Sequence, residues 1–236
     1  MIFCAHQPNY LPYIGFFHKI INCDMFAIWD TVQFVSGGRF GWINRNKIRT
    51  YDGLIWLTVP VLGKNKNKQS IMSTCIDNGL PWQRKHWRSI YINYNKAPYF
   101  DKYSGFFEEI YTKQKWEKLT DLNEAIINYL LKALGIKTEI IKCSNFMLNS
   151  HRTDLIIDVC KKIDAAVFLA GIHGRDYLDE QKFRQNDIKL VYQNFKHPHY
   201  RQFYKPFIEN MSVIDLLFNE GENSINIIKA GGKQQL

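Results

Sequence analysis

The sequence predicts an α/β protein, a mainly parallel sheet with flanking helices, and three observations carry that reading. Short β-favouring apolar runs alternate with segments whose apolar residues recur at helical spacing. Strand, loop, helix and strand fit into roughly the first 30 residues, the size of a βαβ unit. At 46% hydrophobic and 15% aromatic over 236 residues, the chain can fill a core, which excludes global disorder.

The elements follow in order. Ile2-Phe3-Cys4-Ala5 is a strand stopped by polar residues and Pro8. Ile14 to Ile21, after Pro12, reads as a helix, and Met25–Trp29 as a buried strand ending at Asp30. Leu54–Val59 is another strand, stopped by Pro60. Gly63–Ser70 is a Lys-rich loop. From Pro81 to Lys118 the chain is aromatic and basic and predicts two short helices broken at Ala97-Pro98. Thr120 is placed to cap a helix carrying Leu122, Ile126, Leu130 and Leu134, with Gly135 at its end. Lys137–Ile141 predicts a strand, Arg152–Ile163 a helix, and Ala166–Ala170 a strand. Asp176–Gln185 predicts a helix, Lys189–Phe195 a strand, and Ser212–Phe218 a short amphipathic helix. The expected organisation is one α/β domain over 1–236, with a helical aromatic-rich insertion over 81–134 and a flexible tail over 230–236.

Charge is unevenly placed. Residues 1–118 hold 16 basic and 8 acidic side chains, and residues 119–236 hold 15 and 14. That asymmetry points to an anionic partner. The five cysteines (Cys4, Cys23, Cys75, Cys143 and Cys160) include no CxxC pair, so neither a disulfide framework nor a zinc ribbon is indicated. No leader pattern or apolar run of spanning length occurs, which predicts a soluble cytoplasmic protein without a membrane partner.

In a parallel sheet ligands collect at the carboxyl ends of strands. The first candidate is the loop after the first strand. His6, Gln7 and Asn9 stand near the strand end, Gly15 near a helix N-terminus and His18 one turn in, where amides and imidazoles suit a phosphate. The alternative is a Pro-rich loop with His18 capping or packing. The second is Asp30 to Arg49. There glycines permit close approach, Asp30 can accept from a hydroxyl or ammonium, and cations can fork onto phosphate. Along an extended segment Arg45, Lys47 and Arg49 share one face, with Asn44 and Asn46 on the other. A solvated basic hairpin is the other reading, and Trp42 fits core or stacking platform. The third is Ser150-His151-Arg152-Thr153-Asp154 before one helix together with Ala170-Gly171-Ile172-His173-Gly174-Arg175-Asp176 after the following strand, where amides can cradle phosphate or glycine can simply serve a tight turn. His197 and His199 alternate, but no nearby carboxylate or thiolate completes a ligand set, so no metal is expected.

Seven stretches in order, HQPNYLPYIGFFHKI, DTVQF, WINRNKI, WLTVPV, RTDLIIDVCKK, GRDYLDE and SVIDLLFNEG, together resemble the WbqC-like proteins. The likeness runs from about residue 2 to residue 222. Gln7, Pro8, Pro12, Gly15, Asp30, Trp42, Asn44, Arg45 and Asn46 fit that pattern. The resemblance implies a place in bacterial O-antigen or other polysaccharide clusters and glycine or aminoacyl transfer to an amino sugar. A weaker, fold-level likeness joins the run from the first strand through VQF to pantothenate synthetase and other nucleotidylyltransferase-type enzymes, implying a Rossmann-like sheet. Their HxGH signature is absent: Tyr13 and Phe16 stand where its histidines would be if Gly15 is its glycine.

Together these imply amide formation between an amino acid and the amine of a nucleotide-linked sugar, through an acyl-adenylate made from ATP, with Mg2+ as companion. His6, His18 and Arg45 would stabilise the phosphate charge, and Asp30 would orient the amine or act as its base. Gln7, Asn9, Gly15, Asn44, Asn46, Lys47, Gly171, His173, Gly174 and Arg175 would hold the nucleotide. Two alternatives stand beside this: transfer from a preactivated thioester, and a nucleic-acid module built on the interleaved Trp82–Arg88 run, whose tryptophans equally fit a buried helix face. No nucleic-acid partner is expected.

Overall fold

The computed structural model describes residues 1–38, 41–63, 69–232 and 234. Five strands form one all-parallel sheet: β1 (Ile2–His6), β2 (Met25–Ile28), β5 (Glu139–Lys142), β6 (Val167–Ala170) and β7 (Lys189–Tyr192). Their spatial order is β5-β2-β1-β6-β7. From β1 the chain first builds outward through β2 and β5, then returns to the other flank of β1 for β6 and β7. This Rossmann-like order bears out the expected fold class.

Alternation along the strands makes two apolar faces. Phe3, Ala27 and Phe168 belong to the cluster packed by α5 (Arg152–Lys162) and α6 (Glu180–Gln185). Cys4, Phe26 and Leu169 face the larger cluster, with α1 (Ile14–Ile20) and α4 (Leu119–Ala133). Helix α4 begins one residue earlier than its expected cap: Thr120 lies in the first turn, and Lys118 at the cap position supplies no side-chain bond. Its other end matches the expectation. Gly135 takes φ +67°, letting Ile136 N–H donate to Leu131 O (2.9 Å) and Gly135 N–H to Lys132 O (3.1 Å).

Between β2 and β5 lie a two-stranded antiparallel hairpin, β3 (Arg45–Thr50) with β4 (Gly53–Thr58), and three helices. The 54–59 run is therefore a strand outside the main sheet. In α2 (Trp82–Tyr94) the side chains Trp82, His86, Ile90 and Tyr94 are buried and Trp87 packs partly buried against the same core, while Tyr91 is exposed; α3 (Phe100–Thr112) packs beside it. Helix α7 (Val213–Glu220) departs from the amphipathic expectation, since residues 213–219 are all buried. Its Asp215 accepts from Tyr94 Oη (2.9 Å), Tyr200 Oη (2.7 Å) and Gln202 Nε2 (2.7 Å). Burial raises the Asp215 carboxyl pKa despite these three donors.

A further helix, α8 (Ser224–Lys229), precedes the tail expected to be flexible. The described tail residues are bonded to the stretch after β7. Gly231 O accepts from Lys196 N–H (2.8 Å), and the Gln234 amide pairs with the backbone of Asn194. A Cβ on Gly231 would lie 2.5 Å from the Phe195 ring, so only glycine allows this approach. Among the described residues no helix is long and apolar enough to cross a membrane.

Candidate functional site

Strands β1 and β6 are neighbours whose continuing chains part to opposite sides of the sheet, and a crevice at such a point is where open α/β sheets bind ligands. His6 ends β1 and Ala170–Gly171 end β6. Helix side chains lean toward the helix N-terminus, and α1 uses this to bring Lys19 back to the crevice. Lys19 is 2% exposed, and its Nζ donates to Ala5 O at 2.8 Å. A Cβ on Gly171 would lie 4.0 Å from that Nζ, so the ammonium stands between the two strand ends. Among the described residues no carboxylate pairs with it. Burial pushes its pKa down, opposed by the nearby thiols of Cys4 and Cys23.

His6 is half-buried, with its ring edge-on to Phe16 at 5.2 Å. Its Nδ1–H donates to Gln7 O (2.9 Å), which fixes Nε2 as the acceptor of the neutral ring. Burial first, and the Lys19 ammonium second, push its pKa down to about 3, with the Gln7 carbonyl opposing. His6 is therefore neutral near pH 7 and offers an acceptor rather than a cation.

The remaining predicted residues divide. His18 is occupied on both nitrogens: Nε2–H donates to Gly232 O (2.8 Å), and Nδ1 accepts from Gln193 Nε2 (3.1 Å). It clasps the tail to the end of β7 and has no ring atom left for a ligand. Gly15 is buried, with the Tyr13 ring at 2.5 Å from where a Cβ would stand, so glycine here admits that ring rather than a phosphate. Asp30 lies on the same sheet edge beyond β2, buried, and Oδ1 accepts from Ser144 N–H (3.0 Å).

Asn9 is buried in the first loop, and Asn44 and Asn46 form part of a buried hydrogen-bonded knot behind that loop. Asn46 Nδ2 donates to Leu11 O (2.6 Å), and Asn44 Nδ2 donates to Val59 O (2.9 Å). Asn123 of α4 completes the knot, donating to Pro8 O (2.8 Å) and Ile43 O (2.7 Å). Since Asn46 points at the loop, strand alternation turns Arg45 and Lys47 to the hairpin's opposite face. The structure does not bring those two cations to His6. Arg49, on their side of the strand, is 1% exposed and spent on the carbonyls of Thr50, Gly53 (2.6 Å) and Pro206 (2.8 Å). Arg39, Lys64, Lys66 and Lys68 lie outside the described residues.

In the third candidate only Gly171 adjoins Lys19. Gly174 is a packing glycine, where a Cβ would meet Leu178 at 2.9 Å. Arg175 lies over the Tyr192 ring (4.1 Å) beside a cleft of about 390 Å³ along α6 and β7, and His173 is exposed nearby. That cleft reaches the carboxyl end of β7 at Tyr192, two strands from β1, and another of about 400 Å³ lies beside Arg49 and Pro206. We weigh the strand-end crevice above them because a buried unpaired cation and a neutral imidazole meet there. His197 is also occupied, with Nδ1–H on Pro198 O (2.9 Å) and Nε2 accepting from Asn210 N–H (3.1 Å).

Lys19 and Asn123 were not singled out by sequence reasoning. A lysine beside His18 in a helix whose other residues are apolar or glycine, and an asparagine beside Leu122 on a helix with an apolar stripe, were the available signals.

The geometry defines an α/β protein with a five-stranded parallel sheet and a buried lysine between the carboxyl ends of β1 and β6. Comparison with known proteins adds the family: residues 7–227 match the model of the WbqC-like protein family, and the chain belongs to it. It is 32% identical over 224 residues to "Uncharacterized protein Rv1507c" of Mycobacterium tuberculosis, an alignment covering 94% of this chain and 95% of that protein. No solved structure matches the chain.

Proposed function

We propose that the chain is an enzyme that joins a glycine-like amino acid, through an amide, to the amino group of a nucleotide-linked sugar in bacterial surface polysaccharide synthesis. The observation that carries this reading is Lys19, a buried ammonium without a described carboxylate partner, standing between β1 and β6 beside a neutral His6. Such a cation favours an anion, and both the amino-acid carboxylate and a phosphate are anions.

In this reading a carboxylate oxygen attacks the α-phosphorus of ATP and pyrophosphate leaves, giving an acyl-adenylate. The sugar amine then attacks the acyl carbon, the acyl–phosphate bond breaks and AMP leaves. Lys19 offsets the charge on the transferring group. Asp30, on the same edge, takes the proton lost by the amine. Mg2+ would travel with ATP. His18, bound on both nitrogens, has no part in the chemistry, and the outward turn of Arg45 and Lys47 removes them from it.

The test is incubation with ATP, glycine and a nucleotide-linked 4-amino sugar, followed by measurement of AMP and of a product heavier by one glycyl unit. Both are expected. Product without AMP, from an acyl thioester in place of ATP and glycine, would replace the ligase by a transferase using a preactivated donor. No product across a panel of amino acids and amino sugars would sink the reading.

A further inference from the structure

The outward face of the β3–β4 hairpin carries a cluster that the strand-end chemistry does not use. Lys47 pairs with Trp56 across the hairpin and Arg45 with Thr58, so these side chains share one face. Trp42, entering β3, sets its ring 5.3 Å from that of Trp56 at an interplanar angle of 34°. The Arg45 guanidinium lies 4.6 Å from the centre of the Trp56 ring. The Lys47 ammonium lies over the pair of indoles, 5.6 Å from the centre of Trp42 and 5.8 Å from that of Trp56. With these neighbours in place Trp56 is still 43% exposed.

The cations are held but not neutralised. Arg45 Nε–H donates to Gly41 O (3.0 Å), which aims the guanidinium across the hairpin and leaves its terminal nitrogens without an acceptor among the described residues. No described carboxylate pairs with Arg45 or Lys47. An indole in water beside two unpaired cations matches a ligand that joins a flat ring to a phosphate: the ring stacks and the phosphate meets the cations. A neutral sugar would leave the cations unmatched, and a lipid surface would call for a broader apolar face.

The face adjoins the loop over the strand ends through backbone. Trp42 O and Ile43 O both accept from Tyr10 N–H (3.2 Å each). We propose that the Trp42–Trp56–Arg45–Lys47 face binds the nucleoside diphosphate portion of a nucleotide-linked substrate, with its base stacked on Trp56 and its diphosphate on Arg45 and Lys47. The assignment of that nucleotide as part of the substrate rests on the function proposed above. Binding of a nucleoside diphosphate to this face does not.

The test is calorimetric titration of the full chain with UDP, ADP and GDP, and with the corresponding nucleosides, without amino acid or sugar so that no turnover is required. At least one diphosphate is expected to bind. Trp56→Ala should weaken it about tenfold or more, Trp56→Phe much less, and Lys47→Met should narrow the preference for diphosphate over nucleoside. Indole N–H signals assigned with Trp42→Phe and Trp56→Phe should shift on titration, and circular dichroism controls for folding. A diphosphate affinity unchanged in folded Trp56→Ala overturns the proposal, as does binding of single-stranded oligonucleotides but of no mononucleotide. Equal binding of free sugars and nucleotides also overturns it. Nucleotide binding at Trp56 without any amide product would sink the proposed reaction alone; amide product with no role for Trp56 would sink the platform alone.

Discussion

The sheet edge and the hairpin face each present cationic side chains, yet they do so under opposite physical conditions. At the edge, Lys19 is 2% exposed, held by one carbonyl at 2.8 Å, and its charge is disfavoured by burial. On the hairpin, Arg45 and Lys47 are half-buried over indoles, one of which is 43% exposed. A charge kept in a low-dielectric crevice acts strongly and at short range, and it costs stability until an anion arrives. A charge over an exposed ring costs little and is weakened by salt. The contrast matches the two proposed roles, chemistry at the sheet edge and nucleotide holding on the hairpin.

The sharpest way to break the comparison is Lys19→Met. The two side chains are of similar length, so the crevice keeps its shape while the ammonium is lost. Product formation in the amide assay is expected to fall about 100-fold or more. Stability, from urea unfolding, should stay level or rise by about 1 kcal/mol, because a buried charge with no carboxylate partner among the described residues has been removed. A loss of stability with activity retained would make Lys19 a structural residue and remove the asymmetry between the regions.

Much of this fold was legible because buried parallel strands read as short continuous apolar runs, as Ile2–Ala5 and Met25–Trp29 do. Helix ends were legible where glycine was required, as at Gly135. The site was harder to read for a geometric reason. In α1 the histidine draws notice, but a helix turns about 100° per residue, and that step sends His18 to the tail and Lys19 to the crevice. The shared face of Arg45 and Lys47 was readable from alternation. Which way it pointed was set by Asn46 reaching Leu11 O, 35 positions earlier in the chain. The docking of the tail depends on Gly231 meeting Phe195, a long-range fit with no local pattern.

A second, smaller effect tests whether the edge is as dry as Lys19 implies. The folded pKa of His6 is about 3, against 6.5 for a free imidazole, and that of His86, buried in α2 and accepting or donating to Tyr10 Oη at 2.8 Å, is about 4. Below pH 6.5 the unfolded chain therefore takes up more protons than the folded one, and stability falls as pH drops through these windows. At pH 4.5 each histidine should have removed on the order of 2 kcal/mol relative to pH 7. Urea unfolding of His6→Gln and His86→Gln at both pH values checks this, each substitution flattening the pH dependence. An unchanged slope in His6→Gln would show an imidazole in contact with water and bring the edge closer to the hairpin in character.

The smallest effect belongs to the hairpin. Trp56→Ala removes an exposed ring and its contacts with Arg45 and Lys47, each cation–π contact being worth about 0.5–1 kcal/mol at an exposed site. The indole also shields little of the core, since the inner face of β4 is carried by Leu57, 3% exposed. Unfolding free energy should therefore drop by about 1–2 kcal/mol, and the loss should not grow with added salt, because no ion pair is broken. A drop of about 3 kcal/mol or more, as for a buried aromatic, would mean that this face is packed against another surface in solution. The proposed difference between a catalytic edge and an open ligand face would then have to be redrawn as one between two buried sites.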